Sequence, residues 1–131
     1  MEEKYNDATP QRPSGHRSLD GLLVPVDLPK FIVEIKNEPA YHENGKNAIT
    51  VFKSDHTTVT LVALKEGEMI KSGPEEGHSL MNLYAISGEL TFLVADDEYY
   101  VSEGQLINYH YSFPFKAVAK RDCICLLTVN K

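Results

Sequence analysis

After Pro39 the sequence breaks into short runs rich in β-branched and aromatic residues, with turn signals between them every eight to twelve residues. The marks are Asn44-Gly45, Asp55, Glu66-Gly67, Gly73-Pro74, Ser87-Gly88, Asp96-Asp97, Glu103-Gly104, the stretch 112–114 and Arg121-Asp122. Between them lie AITVFK, TTVTLVALK, SLMNLYAI, ELTFLV, EYYV, QLINYH, FKAVA and CICLLTV. Side chains alternate between faces along a strand, so such runs can bury one face each. Strands at this spacing, with no helical stretches between them, predict an all-β sandwich or barrel. No period of the solenoid or propeller type is present.

Two segments precede the strands. In DLPKFIVEIKNEP, Leu28, Phe31, Ile32 and Ile35 follow the i, i+3, i+4, i+7 pattern of one apolar stripe. Pro29 falls in the first turn, where a missing N–H is harmless, and Pro39 ends the segment. The spacing predicts a short helix, although Phe31, Val33 and Ile35 also alternate as a strand would. Residues 1–20 carry few apolar side chains and cannot offset the entropy of ordering. They read as a flexible N-terminal arm, disordered or laid along a partner subunit, with the barrel domain spanning 21–131.

Composition excludes several function classes. The chain has 131 residues, one domain's worth, with 13 basic and 19 acidic residues and a net charge of −6. No basic cluster is present to neutralise phosphates, so nucleic acid is not an expected partner. No apolar run approaches the roughly 20 residues needed to cross a membrane. The start, MEEKYNDATP, lacks the apolar core of a secretory signal. Two cysteines make no disulfide framework. A cytoplasmic protein is expected.

From Thr57 to Lys131 the order of turns and strands resembles a small single-domain cupin of the RmlC-like superfamily. Leu64 to Gly67 match the Leu-x-x-Gly turn, and Tyr84 to Leu90 (Tyr-Ala-Ile-Ser-Gly-Glu-Leu) match the family's Tyr-Val-Leu-Glu-Gly-Glu-Leu. An acidic hairpin follows at Asp96-Asp97, then Ser102 to Gln105 in place of the Gly-Asp turn, then Phe113-Pro114. The resemblance implies a double-stranded β-helix, a jelly-roll barrel of two sheets. It also implies a homodimer, since small cupins commonly pair.

The resemblance stops at the chemistry. Metal-binding cupins carry His-x-His and a Glu in the first motif, and a His after the proline of the second. Imidazole and carboxylate donors on inward-facing positions then converge on one divalent ion. Here Met81 stands seven residues before Gly88, in place of the carboxylate, and Phe115 follows Pro114 in place of the imidazole. The His-x-His region holds only His78. No cofactor is expected. If a metal is held at all, the donors are Glu75 or Glu76, His78 and His110, two imidazoles and a carboxylate, which suit iron or zinc.

The remaining candidates are weaker. His16, His42 and His56 read as surface residues. Cys123 and Cys125 are two apart on one strand, so they share a face, badly placed for a disulfide, and read as small apolar residues. Tyr84, Phe92, Tyr99, Tyr100, Tyr109, Tyr111, Phe113 and Phe115 read as core and interface, or as the lining of a pocket. Met81, Leu83, Tyr109, His110 and Phe115 are the expected pocket residues, with Tyr109, Asn108 or His110 as polar anchors. No Gly-x-Ser-x-Gly, phosphate loop or dinucleotide pattern occurs. No helix-turn-helix pattern follows the barrel before Lys131, so a two-domain regulator is not expected of this polypeptide. The sequence predicts a small-molecule binding or accessory module without the standard metal site. The rival is a metal-dependent dioxygenase or isomerase with displaced ligands. A metal-free sugar-processing cupin, with His78 or His110 and a tyrosine as acid and base, ranks last.

Overall fold

A computed structural model describes residues 3–6, 17–72 and 79–131. In chain order the elements are β1 (Lys4–Asn6), β2 (Arg17–Asp20), α1 (Leu28–Asn37), α2 (Pro39–Asn44), β3 (Lys46–Lys53), β4 (Thr57–Leu64) and β5 (Met69–Lys71). Then follow β6 (Leu80–Ser87), β7 (Glu89–Val94), β8 (Asp97–Ser102), β9 (Leu106–His110), β10 (Phe115–Ala119) and β11 (Cys123–Asn130). Each of the eight runs read from the sequence contains or forms a strand. The fold is all-β, as the period-two pattern predicts.

Five strands in the order β3-β4-β11-β6-β9 form one sheet, and four in the order β5-β10-β7-β8 form the other. All pairings are antiparallel. The sheets face each other across a core that includes Val62, Leu64, Met81, Leu83, Leu90, Phe92, Val101, Phe115 and Cys125. This is the double-stranded β-helix of a jelly roll. Register arranges the interior in rows. Val129, Met81 and Tyr109 lie side by side across three strands of the larger sheet, and Leu127, Leu83 and Ile107 form the next row.

On the β3-β4-β11 side, the larger sheet buries its other face as well. Leu61, Ala63 and Ile124 point away from the barrel and pack with Ile49, Val51, Ile35 and Tyr41. β4 and β11 are therefore apolar on both faces, and their near-continuous apolar sequence reflects this. Helix α1 supplies the cover through the stripe read from the sequence, with Phe31 and Ile32 against this second core and Ile35 fully enclosed. Asp27 caps it, its carboxylate accepting from Lys30 N–H at 3.3 Å.

Sequence reading expects one helix; the described residues form two. Pro39 ends α1 and also opens α2, since its fixed φ suits a first helical position. Gly45 closes α2 at φ 72°, and its N–H reaches Tyr41 O at 2.9 Å. Asn47, buried beneath the junction, donates to Ile35 O at 3.0 Å and to Glu38 at 2.7 Å.

The stretch read as a flexible arm also holds structure. Arg17–Asp20 pair with Lys4–Asn6, and Leu19 and Asp20 are buried. Arg17 donates to Thr50 O of β3, and its guanidinium lies 5.4 Å from the Phe31 ring centre. The sequence signal is weak because a single leucine, Leu19, does the burying. Strand β5 also escapes the sequence reading, being three residues long. Among the described residues, no helix is long and apolar enough to cross a membrane.

Candidate functional site: a cavity between the sheets

At one end of the barrel the two sheets part around a cavity of about 130 Å³. The larger sheet lines it with Met81 of β6 and Leu127 and Val129 of β11; the smaller contributes Ile70 of β5 and Phe115 of β10. Ser72, Ser79, Lys71 and Tyr111 complete the wall. The lining is mainly apolar, with a few polar groups, the usual make-up of a small-molecule site.

Period-two geometry decides which side chains reach it. On β10, Phe115 and Ala117 are buried and Lys116 is exposed. On β6, Met81, Leu83 and Ala85 point inward. Met81 is 2% exposed and Phe115 7%, so the two positions that match the cupin ligands lie inside the barrel. A thioether and a phenyl ring offer neither a carboxylate nor an imidazole, and the standard ligand set for a divalent ion does not fit here. The Phe115 ring stacks on Phe92 with centroids 5.1 Å apart, and Tyr109 and Tyr111 meet it edge-on at 6.2 and 6.4 Å.

The other expected pocket residues divide. Leu83 is in the core one row deeper, fully enclosed. Tyr109 faces inward, but its hydroxyl is committed to the loop after β9: it donates to Phe113 O at 2.9 Å and accepts from Phe113 N–H at 2.9 Å and Ser112 N–H at 3.3 Å. His110 and Asn108 lie on the opposite face of β9 from Tyr109, exposed, and Asn108 bonds Asn82 across the sheet. His110 therefore does not line the cavity, because a one-residue step along a strand reverses the face. Glu75, Glu76 and His78 lie outside the described residues, as does His16. Among the described residues, no three His, Cys, Asp or Glu side chains lie together as a metal site.

Sequence reasoning missed the polar groups that do face the cavity. Ser72 forms a two-point link to Phe115: its N–H donates to Phe115 O at 3.0 Å, and its Oγ accepts from Phe115 N–H at 2.9 Å. Ser79 is 6% exposed and holds Tyr111 N–H through its carbonyl at 2.9 Å. Its hydroxyl makes no side-chain hydrogen bond among the described residues. The parity of β6 could have found it, since Ser79 is two residues before Met81.

Two further features lie outside this cavity. Cys123 and Cys125 are free thiols buried in the barrel core. Their mutual hydrogen bond, then burial, hold Cys125 well above the ordinary thiol pKa. Outside the smaller sheet, an open groove of about 430 Å³ runs between Lys71 and Lys116 on one side and Asp96, Asp97 and Glu98 on the other. The two lysines are direct cross-strand neighbours.

No family model matches the chain, and no curated protein does. Solved structures do. TT1209 from Thermus thermophilus superposes with a TM-score of 0.66 at 22% identity, over 81% of this chain and 95% of that one. The Cupin_2 domain of an XRE-family transcriptional regulator from Enterobacter cloacae gives 0.60 at 16% identity, over 66% and 97%. An RmlC-like cupin from Desulfovibrio desulfuricans gives 0.59 at 18% identity, over 67% and 84%. Strand order, inward register and these likenesses agree: the chain has the cupin fold, its two sheets forming a jelly-roll barrel.

Proposed function

We propose that this protein is a small-molecule binding or accessory module whose ligand enters the barrel cavity beside Met81 and Phe115. The single observation that carries the reading is the cavity itself, a mainly apolar volume at the family's ligand positions with two serines in its wall. Apolar side chains in place of metal donors support a barrel without the standard metal site and without a resident cofactor. Methyl-resolved NMR with a fragment mixture tests the reading. Fragments that bind should move the Met81 methyl while Met69 stays put; hits that shift only surface resonances would refute it.

A homodimer is part of the same proposal. Leu22 and Leu23 are 92% and 82% exposed, and edge strand β9, LINYH, carries no Lys, Asp, Glu or Pro to guard it. Light scattering at tens of micromolar should return twice the chain mass, and a monomeric mass would end this part. A cytoplasmic location and the absence of nucleic-acid partners complete the reading, the latter supported by the net charge of −6.

A further inference from the structure

We infer that the ligand of this cavity is a neutral, compact molecule, one ring or a branched chain, bearing a single hydroxyl or carbonyl that meets Ser79. The inference rests on the small-molecule reading above and names the ligand class. Size comes first. A volume of about 130 Å³ is close to that of engineered apolar cavities that hold one benzene, roughly 150 Å³, so the part of the guest held between the sheets is about one ring in size. Charge comes next. Met81, Phe115, Leu127 and Val129 surround the volume, and an ion among them would lose its hydration without a partner. Lys71, the cationic residue in the wall, is exposed on the opposite face of β5 from Ile70, where water solvates it.

Ser79 supplies the polar contact. It is more than nine-tenths buried and lines the cavity, and its hydroxyl has no hydrogen-bond partner among the described residues. A hydroxyl that makes no hydrogen bond with the described residues, on a residue in the wall of a mainly apolar cavity, is free to bond a guest there. The Ser72 hydroxyl oxygen already accepts from Phe115 N–H, and its proton is left to donate to the same guest.

Calorimetric titration of the full chain with phenol, toluene and benzoate, repeated on Ser79→Ala and Met81→Trp, tests this. Phenol should bind, Ser79→Ala should weaken it about tenfold, the worth of one hydrogen bond, and toluene should bind the same variant undiminished. Met81→Trp should abolish both by filling the space. An unchanged phenol affinity in Ser79→Ala, or benzoate binding more tightly than phenol, would overturn the ligand class while leaving the cavity as a binding site. Failure of phenol and toluene alike, or phenol affinity that survives Met81→Trp, would overturn the class and the small-molecule reading together. Thermal melts of both variants, expected to stay cooperative, separate lost binding from lost folding.

Discussion

The Tyr109 hydroxyl grips Phe113 at both ends of its backbone, donating to the carbonyl and accepting from the amide, each at 2.9 Å. The bond closes the loop between β9 and β10 and sets the direction in which the chain passes Pro114 and delivers Phe115 into the barrel. Tyr109→Phe keeps the ring and removes the hydroxyl, leaving those groups to water. Urea unfolding should show a loss of about 0.5–1.5 kcal/mol. Unchanged stability would mean that the loop does not depend on this bond.

Leu19 separates the two views of the N-terminal stretch. An arm without core contacts would tolerate truncation within about 0.5 kcal/mol. Leu19 is buried in β2, the strand that reaches β3 through Arg17 and Thr50. Leu19→Ala should therefore cost about 2–5 kcal/mol, as large-to-small core changes do. A midpoint equal to the parent's would return this strand to a solvated arm.

Gly88 admits no side chain. It sits at φ 83° in the turn between β6 and β7, and a Cβ there would collide with Asp122 O and lie 2.8 Å from Cys123 Cα. Both the left-handed backbone and the contact with fixed backbone oppose Gly88→Ala, and the turn must shift to accept it. A loss above about 2 kcal/mol, or failure to accumulate as soluble protein, is expected. Gly67→Ala shares the positive φ but meets nothing within 4 Å, so it should be milder. Equal losses in the two variants would show that the contact adds nothing to the strain.

Much of the fold is legible in the sequence because register and burial agree. The positions of Pro114 and Gly88 place Phe115 and Met81 inside, and both are interior. The strands β4 and β11 are legible as apolar runs, but not the reason for them, because a sheet buried on both faces and a buried helix look alike in periodicity. The candidate site is less legible. His110 and Asn108 stand out as polar residues beside an aromatic run, yet a single step along β9 turns them outward. Ser72 carries no motif, and Ser79 offers only its parity with Met81 along β6. The second helix is hidden behind Pro39, which reads as a stop and serves also as a start.

Elemental analysis of protein purified without a histidine tag addresses the rival enzyme reading. With Met81 and Phe115 at the ligand positions, well under one equivalent of iron, zinc, manganese, nickel or copper is expected. Near-stoichiometric metal lost in both His78→Ala and His110→Ala would favour a displaced centre. Stoichiometric metal lost in neither would place the site elsewhere in the chain.

The cavity itself can be tested without knowing any ligand. Apolar cavities of this size take up xenon, whose scattering marks them directly. A crystal of the full chain under xenon pressure should show a peak enclosed by Met81, Phe115, Leu127 and Val129. No peak there, with side chains closed over the space between the sheets, would contradict a barrel built to hold a small molecule.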